Sequence, residues 1–157
     1  MIKVLFVCLG NICRSPMAEA IFRDKVEKAG LTDKITVDSA GTGGWHIGEP
    51  PHKGTRKKLQ ELGISSQGLK GRQMTSQDLD QFDYIIGMDE SNIENINKLA
   101  EQAPKANVRR LMDYINDMPV RDIPDPFFTG NFDEVHEMID KGTDSLLEEI
   151  CREKNIN

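Results

Sequence analysis

The chain alternates between short, almost wholly apolar runs and longer stretches in which apolar residues recur at helical spacing. Ile2, Val4, Leu5, Phe6 and Val7 form a near-continuous run, as expected of a strand buried on both faces of a parallel sheet. From Met17 to Ala29 the spacing turns helical, with Ser15 placed to cap, Pro16 at the first position and Gly30 just past the end. Ile35 to Ser39 reads as a second strand. Gly41, Gly43, Gly44 and Gly48, with Pro50 and Pro51, then mark a structured loop that carries Trp45. A basic helix is expected from about His52 to Leu62, stopped by Gly63, and a helical turn begins at Thr75 or Ser76. Asp83 to Met88 is the third strand, and Asp89 to Ala100 is helical with Ile93, Ile96 and Leu99 on one face. Val108 to Met112 supplies a short fourth strand, Asp113 to Gly130 a Pro-rich loop, and Phe132 to Arg152 a long closing helix carrying Val135, Ile139, Leu146, Leu147 and Ile150. This alternation predicts an α/β fold, a three-layer sandwich around a four-stranded parallel sheet with right-handed crossovers, and a site at the carboxyl ends of the strands. The first strand delivers Cys8 to that edge.

Composition narrows the class. At 157 residues, with 38% hydrophobic and 29% charged positions, the chain fits one soluble domain spanning 1–157 with a core of its own. No apolar run approaches the ~18 residues of a membrane helix, and the first strand is too short and too soon interrupted for a signal peptide, so a cytoplasmic protein is expected. Three cysteines without a secretory signal argue against a disulfide framework and offer no four-ligand metal spacing. A net charge of −6 leaves no basic footprint for nucleic acid, and it means that an anionic substrate is drawn by a local positive field. Basic residues do gather at Lys53, Arg56, Lys57 and Lys58 and at Lys70 and Arg72, where solvated faces are the expectation.

The chemistry concentrates in Cys8-Leu9-Gly10-Asn11-Ile12-Cys13-Arg14-Ser15, between the first strand and the first helix. A loop in that position aims backbone N–H groups inward at the positive end of a helix, which makes an anion cradle with a thiol at its base. The same field favours thiolate over thiol. A phosphoryl group in flight spreads charge over its equatorial oxygens, so a planar Arg14 guanidinium can grip two of them while loop amides take the rest. Asn11 is the loop residue best suited to a positive φ, and the Ser15 hydroxyl can cap the helix and donate to the Cys8 sulfur. Cys13 is placed either to pack the loop or to trap an oxidised Cys8 as a disulfide. Cys151, on the last helix, reads as inert core. A phenolate leaving group has a conjugate acid near pKa ~10 and calls for a proton donor. Asp113, Asp117, Asp122 and Asp125 are all candidates on residue type alone.

The segment Val7 to Ala20 resembles the phosphate loop of the low-molecular-weight protein tyrosine phosphatases, whose pattern is Cys, five residues, Arg, then Ser or Thr. The resemblance continues through Asp38-Ser39-Ala40-Gly41-Thr42, Trp45 with Gly48-Glu49-Pro50-Pro51, Phe82 to Ile86, Met88 to Asn92, and Asp125-Pro126-Phe127-Phe128-Thr129-Gly130. It implies Cys8 as nucleophile, Arg14 as oxyanion clamp and Asp125 as general acid, in a two-step reaction through a phosphocysteine that requires neither metal nor cofactor. It further implies a hydrogen bond between Ser39 and Asn11 that locks the loop, and an aryl slot walled by Leu9, Ile12, Trp45, Phe127 and Phe128. Phosphotyrosine proteins or peptides are the implied partners, with inorganic phosphate and other oxyanions as competing ligands.

Two departures and three alternatives are weighed against the same resemblance. Many members carry Tyr-Tyr where this chain has Phe127 and Phe128, which excludes regulation by phosphorylation there. A histidine that relatives place three residues before Arg72 is Leu69 here, and His46, His52 and His136 read as surface residues rather than replacements. Relatives acting as protein arginine phosphatases carry Thr at the position of Ile12, whose bulk points to phosphotyrosine. A thiol-dependent arsenate reductase would need further cysteines, and residues 83 to 113 hold none. A non-catalytic phosphopeptide-binding module would need neither thiol nor acid.

Overall fold

A computed structural model of the chain describes residues 1–116 and 118–156. Strands β1 (Ile2–Cys8), β2 (Ile35–Gly41), β3 (Tyr84–Gly87) and β4 (Asn107–Arg110) form a four-stranded sheet in the order β2-β1-β3-β4, every pair parallel. Around it run α1 (Arg14–Lys28), α2 (Lys53–Glu61), α3 (Asp78–Gln81), α4 (Glu90–Leu99), α5 (Pro126–Thr129) and α6 (Phe132–Lys154). The pleat of β1 sorts the two cores. Val4 and Phe6 face α1, α2 and α6 with Phe22, Leu59, Ile139 and Leu146, while Leu5 and Val7 face α3 and α4 with Ile85, Leu79 and Ile96. The expected three-layer sandwich is therefore present. Among the described residues no helix is long and apolar enough to cross a membrane.

Local chemistry sets the ends. Asp89 and Asn92 build a reciprocal capping box at the start of α4. Asn131 caps α6, whose first turn carries Asp133 and Glu134 and whose last carries Arg152 and Lys154, in keeping with the helix dipole.

The helical turn expected from Thr75 or Ser76 is present, with Asp78 N–H on Thr75 O at 3.1 Å, Leu79 N–H on Ser76 O at 3.2 Å and the Asp78 carboxylate taking the Thr75 N–H at 2.8 Å, and α3 continues it from Asp78. Three expectations need correction. Ser15 does not cap α1: the helix begins two residues earlier than expected, at Arg14, with Cys13 at the cap position and no side-chain cap bond. β4 ends at Arg110, and Leu111–Tyr114 tightens into a 3-10 turn that Asp113 holds through the Arg110 N–H. Arg72 is no solvated cation, since it pairs with Asp38 at 3.0 Å and Asp78 at 3.1 Å.

Candidate functional site

β1 carries Cys8 to the carboxyl edge of the sheet, and the chain crosses from there to Arg14 in one loop. Its carbonyl groups are taken up from outside. Thr42 N–H donates to Cys8 O (2.9 Å), Gly43 N–H to Leu9 O (2.9 Å), His52 N–H to Ile12 O (2.7 Å) and the Thr55 hydroxyl to Cys13 O (3.1 Å). In a trans peptide the N–H points opposite to the C=O, so these four bonds turn the N–H groups of Leu9, Gly10, Cys13 and Arg14 toward the loop's interior. The cradle expected of the sequence is thus built by neighbours pulling the carbonyls away from it.

Asn11 holds the tightest point, with φ at 58°, where a short amide side chain is tolerated and a branched one is not. Its N–H donates to Cys8 Sγ at 3.3 Å. Arg72 N–H donates to Asn11 Oδ1 (2.9 Å), which fixes the amide's orientation, so that Nδ2 donates to both Ser15 Oγ (2.8 Å) and Ser39 Oγ (3.0 Å). Ser39 in turn donates to the buried Glu19 carboxylate. Because Ser15 Oγ already accepts from Asn11, its own proton is free for Cys8 Sγ, 3.0 Å away. The bond implied between Ser39 and Asn11 is present. Leu69 lies in the core, and the backbone of Arg72 braces the loop beside it.

Arg14 is 2% exposed. Nη1 donates to Asp89 Oδ2 at 2.6 Å and to Ile123 O at 2.9 Å, and Nη2 reaches Asp125 Oδ2 at 3.5 Å. Nε is buried with no acceptor among the described residues. Burial pulls the guanidinium down, but the charges of Cys8, Asp89 and Asp125 outweigh it and hold its pKa above the ordinary arginine value. The neighbouring Cys13 thiol is pushed up to about 12, first by burial and then by the charges of Cys8 and Asp125.

Above the loop opens a slot of about 210 Å³, lined by Cys8, Leu9, Gly10, Ile12, Cys13, Trp45, His46, Asp125, Phe127 and Phe128. Every residue expected to wall it does so. Trp45, Phe127 and Phe128 remain 69%, 52% and 76% exposed, so they stand at the mouth rather than in the core. Of the four candidate aspartates, Asp125 lines the slot. Asp113 and Asp122 pair with Arg110, and Asp117 lies outside the described residues.

Asp125 caps α5, its Oδ1 taking Phe127 N–H at 3.0 Å, with Pro126 at the first helical position. Two histidines expected on the surface belong to the site's frame. His46 lines the slot with Nδ1 2.6 Å from Glu49, and His52 caps α2 while stacking on Phe132 at 5.3 Å. His136 is half-buried on α6. Asp89 also escaped notice beyond its place at a helix start, since only the fold brings it to Arg14. Among the described residues no group of three or more His, Cys, Asp or Glu is placed to hold a metal.

Residues 3–156 match the family model described as low molecular weight phosphotyrosine protein phosphatase. The chain is 55% identical over 156 residues to the Bacillus subtilis low molecular weight protein-tyrosine-phosphatase YfkJ, covering 99% of this chain and 100% of that one. The crystal structure of YfkJ superposes with a TM-score of 0.96 at 56% identity, covering 98% of this chain and 97% of the other. The Staphylococcus epidermidis enzyme PtpA is 45% identical over 99% of this chain and 98% of its own. An Entamoeba histolytica protein tyrosine phosphatase, solved with Hepes in its active site, gives a TM-score of 0.91 at 31% identity, covering 98% of this chain and 99% of that one.

Proposed function

The chain belongs to the low molecular weight phosphotyrosine protein phosphatase family, and from that membership we propose that it hydrolyses phosphotyrosine in proteins and peptides, with Cys8 as nucleophile, Arg14 as oxyanion clamp and Asp125 as general acid. The observation that carries these roles is that a single slot brings together the Cys8 sulfur, a ring of inward N–H groups and the Asp125 carboxylate.

In the first step the Cys8 thiolate attacks phosphorus opposite the phenolic oxygen. The S–P bond forms as the P–O bond breaks, and the proton on Asp125 passes to the departing oxygen. In the second step Asp125, now a carboxylate, takes a proton from water as that water attacks the phosphocysteine. The S–P bond breaks, phosphate is released and the thiolate returns. Throughout, the loop N–H groups and Arg14 face the charge on the transferring group, and Nε supplies a donor without an acceptor among the described residues. The exposed rings of Trp45, Phe127 and Phe128 give the slot its affinity for a flat leaving group. The same loop supports competition by inorganic phosphate.

The test is turnover of an aryl phosphate, a phosphotyrosine peptide, a phosphoarginine peptide and arsenate, each in the presence of a chelator. Hydrolysis of the first two, abolished by Cys8→Ser, is expected. Preference for phosphoarginine, reduction of arsenate, or binding of phosphopeptide without turnover would each replace this reading by the corresponding alternative.

A further inference from the structure

Arg110 ends β4 on the same edge of the sheet as the phosphate loop, and its guanidinium ties together the two ends of the excursion that leads to Asp125. Nε and Nη2 take the Asp113 carboxylate at 3.3 and 3.2 Å where that excursion leaves the 3-10 turn. Nη1 takes Asp122 Oδ1 at 3.2 Å where it returns, and Glu90 Oε2 lies 3.5 Å from the same nitrogen. Asp122 Oδ1 also accepts the Glu90 N–H at the start of α4, at 3.0 Å. The next residue, Ile123, is 1% exposed, with its N–H on Met88 O and its carbonyl on Arg14 Nη1, both at 2.9 Å. Pro124 and Pro126 then flank Asp125, so little rotational freedom separates the anchored residues from the carboxylate. Arg121 adds a contact to Asp113 at 3.5 Å.

None of these charged groups lines the slot. We propose that Arg110 and Asp122 are positioning residues, forming a latch that closes the acid-bearing segment and sets the reach of Asp125 over the phosphate loop. The proposal rests on the reading of Asp125 as general acid. An isolated exposed ion pair contributes little to stability. Here one cation joins carboxylates from β4's own turn, from α4 and from the returning segment, so its effect falls on where Asp125 sits. Small displacements of a catalytic group are costly to rate.

The experiment compares kcat/KM for phenyl phosphate, whose leaving group needs a proton, with that for 2,4-dinitrophenyl phosphate, whose leaving group does not. Arg110→Gln, Asp122→Asn, their double variant and Asp125→Asn are assayed in parallel. The latch variants are expected to lose about tenfold on phenyl phosphate and less than about twofold on the dinitrophenyl ester, part of the ~10²–10⁴-fold worth of a general acid. The double variant should be no worse than the worse single one, since both break one latch. Inhibition by inorganic phosphate should stay as in the parent, reporting an intact loop. Equal losses on both substrates, no loss on either, or fully additive losses would overturn the latch. Should Asp125→Asn lose far more on phenyl phosphate than on the dinitrophenyl ester, as expected, while the latch variants keep parent behaviour, only the latch is wrong. If Asp125→Asn shows no selectivity, the acid assignment fails and the latch with it.

Discussion

Asp89 Oδ2 lies 2.6 Å from Arg14 Nη1 while Asp89 Oδ1 takes the Asn92 N–H at 2.8 Å, so one carboxylate both caps α4 and orients the Arg14 guanidinium. Its two functions separate by substitution. Asp89→Asn keeps an acceptor for the cap but drops the charge, and is expected to lower kcat/KM on an aryl phosphate on the order of tenfold to a hundredfold with little change in unfolding midpoint. Asp89→Ala should lose as much activity and in addition cost about 1 kcal/mol of stability through the cap, measured by urea unfolding.

Asn11 joins a backbone role to a side-chain role in the same way. Asn11→Gly accepts φ of 58° freely but cannot bridge Arg72, Ser15 and Ser39, whereas Asn11→Ala loses the bridge and meets the left-handed penalty as well. Both variants should lose most of their activity, with the Ala variant about 1–2 kcal/mol less stable than the Gly variant in denaturant unfolding. Equal stabilities would show that the backbone conformation relaxes once the amide is gone.

The strand, the loop and the helix are legible in the sequence because each is a local pattern: a continuous apolar run, a Cys and an Arg around one turn, and helical spacing with Pro16 in its first turn. That Trp45, Phe127 and Phe128 resist full burial is legible in the same way, as aromatics in segments rich in Gly and Pro, whereas their place as slot walls is what the family resemblance implies. What escaped depends on pairing across the sheet. Asp89 and Arg14 meet only because β3 lies beside β1, and Arg110 meets Asp122 only because β4 ends at the same edge. Ser15 was misplaced as a cap because its hydroxyl is claimed by Asn11 and Cys8, contacts that local propensity does not register. His46 gave no signal either, since its place in the slot comes from the packing of its ring against Gly10.

Gly41 matters for space rather than for φ. A Cβ there would stand 2.9 Å from Leu9 O and 3.1 Å from Asn11 N, both rigid backbone atoms of the cradle. Gly41→Ala is therefore expected to push the loop out of register and cut kcat/KM for aryl phosphates by on the order of a hundredfold, with weakened inhibition by inorganic phosphate. A fully active Gly41→Ala enzyme would show that β2 yields more easily than the loop.

Cys13 offers a proton-linked test of how the site is buried. Its thiol leaves an ordinary value of 9.0 for about 12 in the fold, mainly through burial, so between those values the unfolded chain has released a proton that the folded chain retains. Its contribution to stability is complete below about pH 9 and is lost as pH rises toward 12. Tyr84, raised from 10.0 to about 12 by burial and by Glu153, and Tyr114, raised chiefly by burial, act in the same direction. Urea midpoints should fall between pH 9 and 12, and Cys13→Ser should flatten the early part of that fall, where the tyrosines still hold their protons in both states. The proton that burial retains on Cys13 makes it a slower partner for an oxidised Cys8 than an ordinary thiol would be. Peroxide-inactivated enzyme should accordingly regain more activity on thiol treatment when oxidised at higher pH, as trapping begins to outrun further oxidation, and Cys13→Ser should lose that gain. Recovery by Cys13→Ser equal to the parent's at every pH would exclude Cys13 as the trap.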